Sequence, residues 1–266
     1  MPEQTLLTFH AMGDWPAQAV CARWVADSRP RDPQVEELIE AAWREATRRP
    51  GVWLFDGPMC RLESWHADPH RLELSLSKTS YKPFVGTNMA HPELAKRLGR
   101  NILANPVGVS PLLQSADGFL MMGRRNASVA YYPHRIHPFA GALDHRDGLD
   151  IFAALARELC EELHFAPQEI LSARCTGIAE DMSILQPELI LRCTTSRPRS
   201  QIEAQLDQTE HQAAWAIPAE LAAVEKALAE QRDVLTPVAV AALLLWGRIT
   251  FGDPWFTRQA ADFVAP

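Results

Sequence analysis

The run IFAALARELCEEL, residues 151–163, places Glu158, Glu161 and Glu162 on barely two turns of a helix whose opposite face is apolar. Ile151, Phe152, Leu155, Leu159 and Leu163 gather into one stripe, which commits the helix to a core. The glutamates fan over about 100° along one edge of that stripe, and Glu162 overlaps it. Carboxylates three and four residues apart repel by roughly 0.2–0.5 kcal/mol per pair even in water. Glu161 and Glu162 also lie near the helix C-terminus, where the macrodipole disfavours negative charge. Burial beside Leu159 adds to that cost unless a cation offsets it. Two readings follow, a solvated acidic face or a cation site. Mg2+ suits the second, because it takes one or two carboxylates and keeps waters or phosphate oxygens in its other positions.

The rest of the chain bounds the choice. Its 266 residues, 47% hydrophobic and 22% charged, are an ordinary globular composition with ample material for a core. A formal net charge of −7 argues against a nucleic-acid surface driven by bulk electrostatics, while leaving room for a small anionic substrate at a local cation. The longest apolar candidate, PVAVAALLLWG at 237–247, is too short to span a bilayer, and the N-terminus MPEQTLLTFH has no signal-like pattern. Five cysteines without a CxxC pair fit reduced thiols, so a cytoplasmic address is expected, with no membrane and no nucleic-acid partner. Nothing in the pattern specifies an oligomeric state.

No internal repeat or low-complexity segment interrupts the chain. Residues 1–104 read as a mixed α/β region. Asp32 and Pro33 open a helix whose apolar residues Val35, Leu38, Ile39, Ala42 and Trp43 recur at helical spacing. RLELSLS alternates with the period of a half-buried strand, and ELAKRLGRNILAN reads as a short helix ending before Pro106. Residues 105–266 form a second block. PVGVSPLLQSADGFLMMGRRN predicts two strands turning at Asp117-Gly118, followed by a histidine-containing loop and the acidic helix. EILSARCTGIAED and PELILRCTT read as strands, then comes an acidic, Gln-rich stretch, and PAELAAVEKALAEQ and PVAVAALLLWGRI read as helices. This order predicts an α/β sandwich with a mixed sheet.

The segment from Gly141 to Phe165 resembles the Nudix box, with Arg157, Glu158, Leu159, Glu161, Glu162 and Phe165 matching its second half position by position. Relative to Gly141 the loop HRDGLD is about two residues longer than the family's. Leu149 stands where the box has its early glutamate, Asp147 or Asp150 is the available substitute, and His164 replaces the final glycine. Asp150 equally suits the helix N-cap. PGVWLFDGPMCRLES, LSLSKTSYKPFVGTN and NPVGVSPLLQSADGFLMMGRR look like one branch of that superfamily, the vertebrate Nudix-type UDP-glucose/UDP-galactose diphosphatases.

The resemblance implies a Nudix-type α/β/α sandwich (residues 105–266) preceded by an N-terminal α/β region (residues 1–104) that is a candidate for uridine recognition. It implies hydrolysis of a UDP-hexose to UMP and hexose 1-phosphate, dependent on Mg2+ or alternatively Mn2+. By similarity the metal ligands are Glu158 and Glu162, with Glu161 direct or through water, and the backbone carbonyl of Ala140. Arg157 is expected to orient a glutamate by a salt bridge. The catalytic base is left among Glu161, Glu162, Glu180, Asp181 and Glu188. Lys78, Lys82, Arg124 and Arg125 are candidate partners for diphosphate oxygens. Tyr81 and Phe84 could stack on a uracil, and Thr87 and Asn88 could hydrogen-bond base or ribose. His134 and His137 read as solvent-exposed loop residues and Cys160 as packing. Two other readings stay open: an ADP-ribose or coenzyme A diphosphatase, and a catalytically silent nucleotide-sugar binding module.

Overall fold

The computed structural model describes residues 6–49, 54–147 and 149–264. Residues 50–53, which open the first family-like stretch, and residue 148 of the long loop lie outside the described residues. The chain begins with β1 (Leu7–Pro16) and β2 (Val20–Trp24), followed by α1 (Pro33–Thr47). Asp32 caps α1, its carboxylate accepting from the backbone N–H of Gln34 and Val35. Next come β3 (Pro58–Ala67), β4 (Leu72–Ser80), the single turn α2 (Tyr81–Phe84), a π-helical turn at Val85–Met89, and α3 (Leu94–Leu98). Then β5 (Gly108–Gln114), β6 (Phe119–Arg125), β7 (Ile136–His137) and β8 (Gly141–Ala142) lead into α4 (Ile151–Leu163). The chain continues through β9 (Ile170–Asp181), β10 (Gln186–Thr195), α5 (Arg199–Ala204), β11 (His211–Pro218), α6 (Leu221–Glu230), α7 (Pro237–Phe251) and α8 (Asp253–Ala260).

The strands form one large sheet, ordered β1-β9-β10-β5-β6-β11 with β8 paired to β5 and β7 to β6, and a smaller sheet ordered β2-β4-β3. Both are mixed: β10 runs parallel to β5 and β2 parallel to β4, and the other pairs are antiparallel. β1, from the first 104 residues, forms one edge of the large sheet by pairing with β9 from Leu7↔Asp181 to Pro16↔Arg174.

Side-chain alternation divides the large sheet into two cores. Val109, Leu113, Met121, Leu189, Leu191 and Cys193 pack on one face with Leu155, Leu159 and Leu163 of α4. Leu112, Leu120, Met122 and Ile190 pack on the other face with α6, α7 and α8. α7 is apolar all round and every residue from Pro237 to Gly247 is buried, the environment such a helix requires. The result is the expected α/β/α sandwich with a mixed sheet.

The acidic helix runs over the expected Ile151–Leu163, with Asp150 as its N-cap. Its exit uses the residue that departs from the box. His164 adopts the left-handed conformation at φ 52°, ψ 39° and supplies the turn that glycine usually makes there. A β-carbon in that region costs roughly 1–2 kcal/mol, and glycine gives part of this back in unfolded-state entropy. His164→Gly should therefore stabilise the fold by about 0.5–1 kcal/mol in urea unfolding, with the midpoint moving up and the slope unchanged. Some elements were not foreseen. β11 lies in the stretch read as acidic and Gln-rich, and α8 follows the last expected helix. Cys160 is exposed, and His137 is buried, because the loop carrying it joins the sheet as β7.

Candidate active site

Three short pieces of chain meet at the start of β5. On one side β8 pairs with it through Gly108↔Ala142 and Val109↔Gly141, and on the other Glu188 of β10 stands opposite Gly108. A cavity of about 970 Å³ opens over this junction. Its wall includes Ala140, Gly141, Glu158, Glu161, Glu188, Arg125, Tyr131, Tyr81 and Phe55.

α4 brings Glu158 and Glu161 to the cavity wall and buries Glu162 behind it. Glu158 and Glu162 are each 7% exposed, whereas Glu161 points outward at the rim. The Glu158 carboxylate lies against Gly141, where a β-carbon would overlap it; glycine is required by this approach. Glu162 contacts His211 Nε2 through Oε2 at 2.7 Å, and the backbone N–H of Ala140 is near enough to favour its charged form. The two buried carboxylates thus flank residues 140 and 141.

Arg157 fixes the arrangement. Its Nη1 donates to Glu158 Oε1 at 2.7 Å, its Nε and Nη2 donate to the two oxygens of Asp147 at 3.0 Å each, and Nη2 also donates to the Ala142 carbonyl at 3.1 Å. Arg157 therefore orients a glutamate, and Asp147 is its counter-charge. Leu149, in the place of the early glutamate, packs against the core beside α4.

Burial dominates the electrostatics. It pushes the Glu158 carboxyl up to about 8, outweighing the opposing pull of Arg157, with Glu162 and Glu161 adding repulsion. Burial also pushes Glu162 well above its usual range, followed by Glu210, while Arg125 and the Ala140 N–H pull it back. Such a pair resists full ionisation until positive charge arrives. This is the behaviour of a site that fits a hard divalent cation. Among the described residues no group of three His, Cys, Asp or Glu side chains converges as a metal site; Glu158, Glu162 and the Ala140 carbonyl are the groups here that could hold such a cation.

The remaining expected contacts separate into two groups. Tyr81, Phe84 and Arg125 line the cavity. Arg125 is 5% exposed, stacks over the Tyr131 ring at 4.8 Å, and has an Nε without a hydrogen-bond partner among the described residues. Lys78, Lys82, Thr87, Asn88 and Arg124 lie off the cavity wall. Lys82 pairs with Glu40 on α1, and Arg124 donates to the His134 carbonyl. Thr87 and Asn88 are fully buried and spend their polar groups on main chain: Asn88 donates to the Ile184 and Leu185 carbonyls and accepts from Asn105 N–H, and Thr87 accepts from Ala104 N–H. They tie the π-helical turn to the large sheet, a structural task in place of the expected ligand contact.

Of the candidate bases outside the helix, Glu180 is paired with Arg100 and His10, and Asp181 accepts from Tyr132 and Ser183. Glu188 differs. It lines the cavity, its carboxylate accepts among the described residues only from Ser110 Oγ at 2.8 Å, and it is pushed up to about 8 by burial. His211, Phe55 and Tyr131 were not anticipated. Phe55 is 67% exposed at the mouth, and isolated aromatics in loops carry no periodic signal.

With this geometry in hand, comparison with known proteins becomes specific. No family model matches the chain. The human uridine diphosphate glucose pyrophosphatase NUDT22 is 31% identical over 212 residues, covering 68% of this chain and 69% of the human one. The bovine protein of the same name is 30% identical over 210 residues, covering 67% and 72%, and the mouse one 31% over 209 residues, covering 67% of each. The chain belongs to the Nudix hydrolases. It falls in the branch of the vertebrate UDP-glucose pyrophosphatases and is an enzyme acting on a pyrophosphate bond. A crystal structure of DR0079 from Deinococcus radiodurans aligns with 52% of this Nudix hydrolase and 80% of its own chain, at 17% identity and a TM-score of 0.39.

Glu188 gives this Nudix hydrolase a pH signature. Its carboxyl is raised from 4.5 to about 8 in the fold, so between those values the native state holds a proton that the unfolded chain has lost. Stability contributed by the protonated form is complete below the unfolded value and falls as pH rises toward 8. Glu188→Gln cannot titrate, so its melting temperature should gain on the parent protein as pH goes from 5 to 8.

Proposed function

We propose that the chain hydrolyses a nucleoside diphosphate sugar of the UDP-glucose or UDP-galactose class, with Mg2+ or Mn2+, to UMP and the sugar 1-phosphate. The observation that carries this reading is the pairing, in one cavity, of the buried Glu158 carboxylate and the rim carboxylate of Glu161 with the buried guanidinium of Arg125, whose Nε has no hydrogen-bond partner among the described residues. Such a cavity accepts a cation and a dianionic bridge together. The names of the relatives supply the uridine and glucose.

Glu158, Glu162 and the Ala140 carbonyl would hold the metal, and Glu161 would act through water. A bound divalent cation supplies charge neutralisation on the diphosphate oxygens. Arg125 pairs with those oxygens from the cavity wall, where burial strengthens a charge-assisted hydrogen bond. Tyr81 offers the uracil a ring face, and Phe84 backs it through contact at 6.0 Å between ring centroids. Residues 1–104 contribute this recognition surface, while residues 105–266 carry the acidic helix. Glu188 is suited to take the proton from the attacking water, since its proton affinity lies near neutrality and it faces the cavity. Water adds at one phosphorus, the bridging oxygen leaves with the other phosphoryl group, and the two monophosphates share the charge. Five unpaired cysteines and the absence, among the described residues, of any helix long and apolar enough to cross a membrane support a cytoplasmic address.

A panel of UDP-, ADP- and CoA-type diphosphates incubated with Mg2+ should release UMP most readily from UDP-hexoses; release of AMP in preference, or of no monophosphate, would overturn the proposal. Glu162→Gln should abolish turnover with the fold intact by circular dichroism. Arg125→Ala should raise KM by about 10–100-fold, the worth of a buried charged hydrogen bond, whereas Lys82→Ala should leave KM unchanged.

A further inference from the structure

His211 occupies a niche made for it. The ring is 1% exposed at the start of β11, directly across from Arg125 in the β6–β11 register. A β-carbon on Gly123 would overlap the ring at Nδ1, so glycine opens the space it fills. Phe139 meets the ring edge-on at 5.4 Å and 81°. These walls leave one polar direction: Nε2 reaches Glu162 Oε2 at 2.7 Å, and Nδ1 has no partner among the described residues.

The choice of imidazole has a physical logic. An Arg or Lys at this position would neutralise Glu162 and compete with any cation for its charge. An imidazole makes the same contact, at 2.7 Å, without a fixed charge. A neutral donor can hold a carboxylate in place while leaving its charge available. Arg157 approaches the same result differently, since its own charge is matched by Asp147.

We propose that His211 is a positioning residue of the cation site, its Nε2–H holding the Glu162 carboxylate beside Ala140 in the orientation a divalent ion needs. This rests on the reading of Glu162 as a cation ligand. Groups that orient ligands from behind typically contribute 10–100-fold in metal affinity.

The test titrates Mn2+ alone into the full chain by calorimetry, with circular dichroism and metal-free melting curves as a check on folding. His211→Phe keeps the ring and removes the donor, and should weaken Mn2+ binding by about 10–100-fold. His211→Gln places an amide N–H where Nε2 lies and should restore affinity to within about threefold of the parent. Gly123→Ala displaces the ring while leaving its chemistry unchanged and should mimic His211→Phe. Should His211→Phe fail to fold, His211→Asn replaces it, because its shorter amide cannot reach Oε2; weak binding by Asn and tight binding by Gln support the proposal, and equal binding overturns it. Parent-like Mn2+ affinity in folded His211→Phe overturns it as well. Glu162→Gln separates the two levels. If it loses Mn2+ while His211→Phe does not, only the positioning role fails; if it binds Mn2+ like the parent, the metal reading fails and takes this proposal with it.

Discussion

The site depends on the burial of two carboxylates on one helix. Taking a charged carboxylate out of water costs several kcal/mol unless partners return that energy. Here Arg157 shares itself between Glu158 and Asp147, and His211 Nε2 meets Glu162 Oε2 at 2.7 Å. The apolar stripe of α4, locked into the core against the large sheet, keeps the helix from turning Glu158 and Glu162 out to solvent.

The absence of side chains matters as much as their presence. Gly141 gives Glu158 room to lie along the main chain, and Gly108 does the same for Glu188 across the strand pairing. Both glycines lie where β5 begins between β8 and β10, and Gly141 lines the cavity.

The helix that carries the carboxylates was legible because its evidence is local. Periodicity set Ile151–Leu163, Asp150 announced the N-cap, and the spacing of Glu158, Glu161 and Glu162 set which of them overlap the buried stripe. Thr87, Asn88 and Lys82 were misleading for the complementary reason. Residue type gives the chemistry available to a side chain, but their actual partners, the Ile184 and Leu185 carbonyls, Ala104 and Glu40, lie many residues away in the sequence. His137 was read as exposed because a two-residue strand leaves no period to recognise. His211 was hidden in a polar stretch whose fate as a strand is decided by pairing with β6. In each case the deciding information was a contact across the fold.

That pairing has its own consequence. β11 is the last strand of the large sheet and has only β6 beside it. Edge strands fray at free energies well below that of global unfolding. Since Arg125 and His211 face each other at the end of this ladder, the proposed anion-binding and cation-binding groups share an edge of the sheet. Warming would loosen that corner first, so the enzyme would lose its catalytic competence while most of its core remained folded.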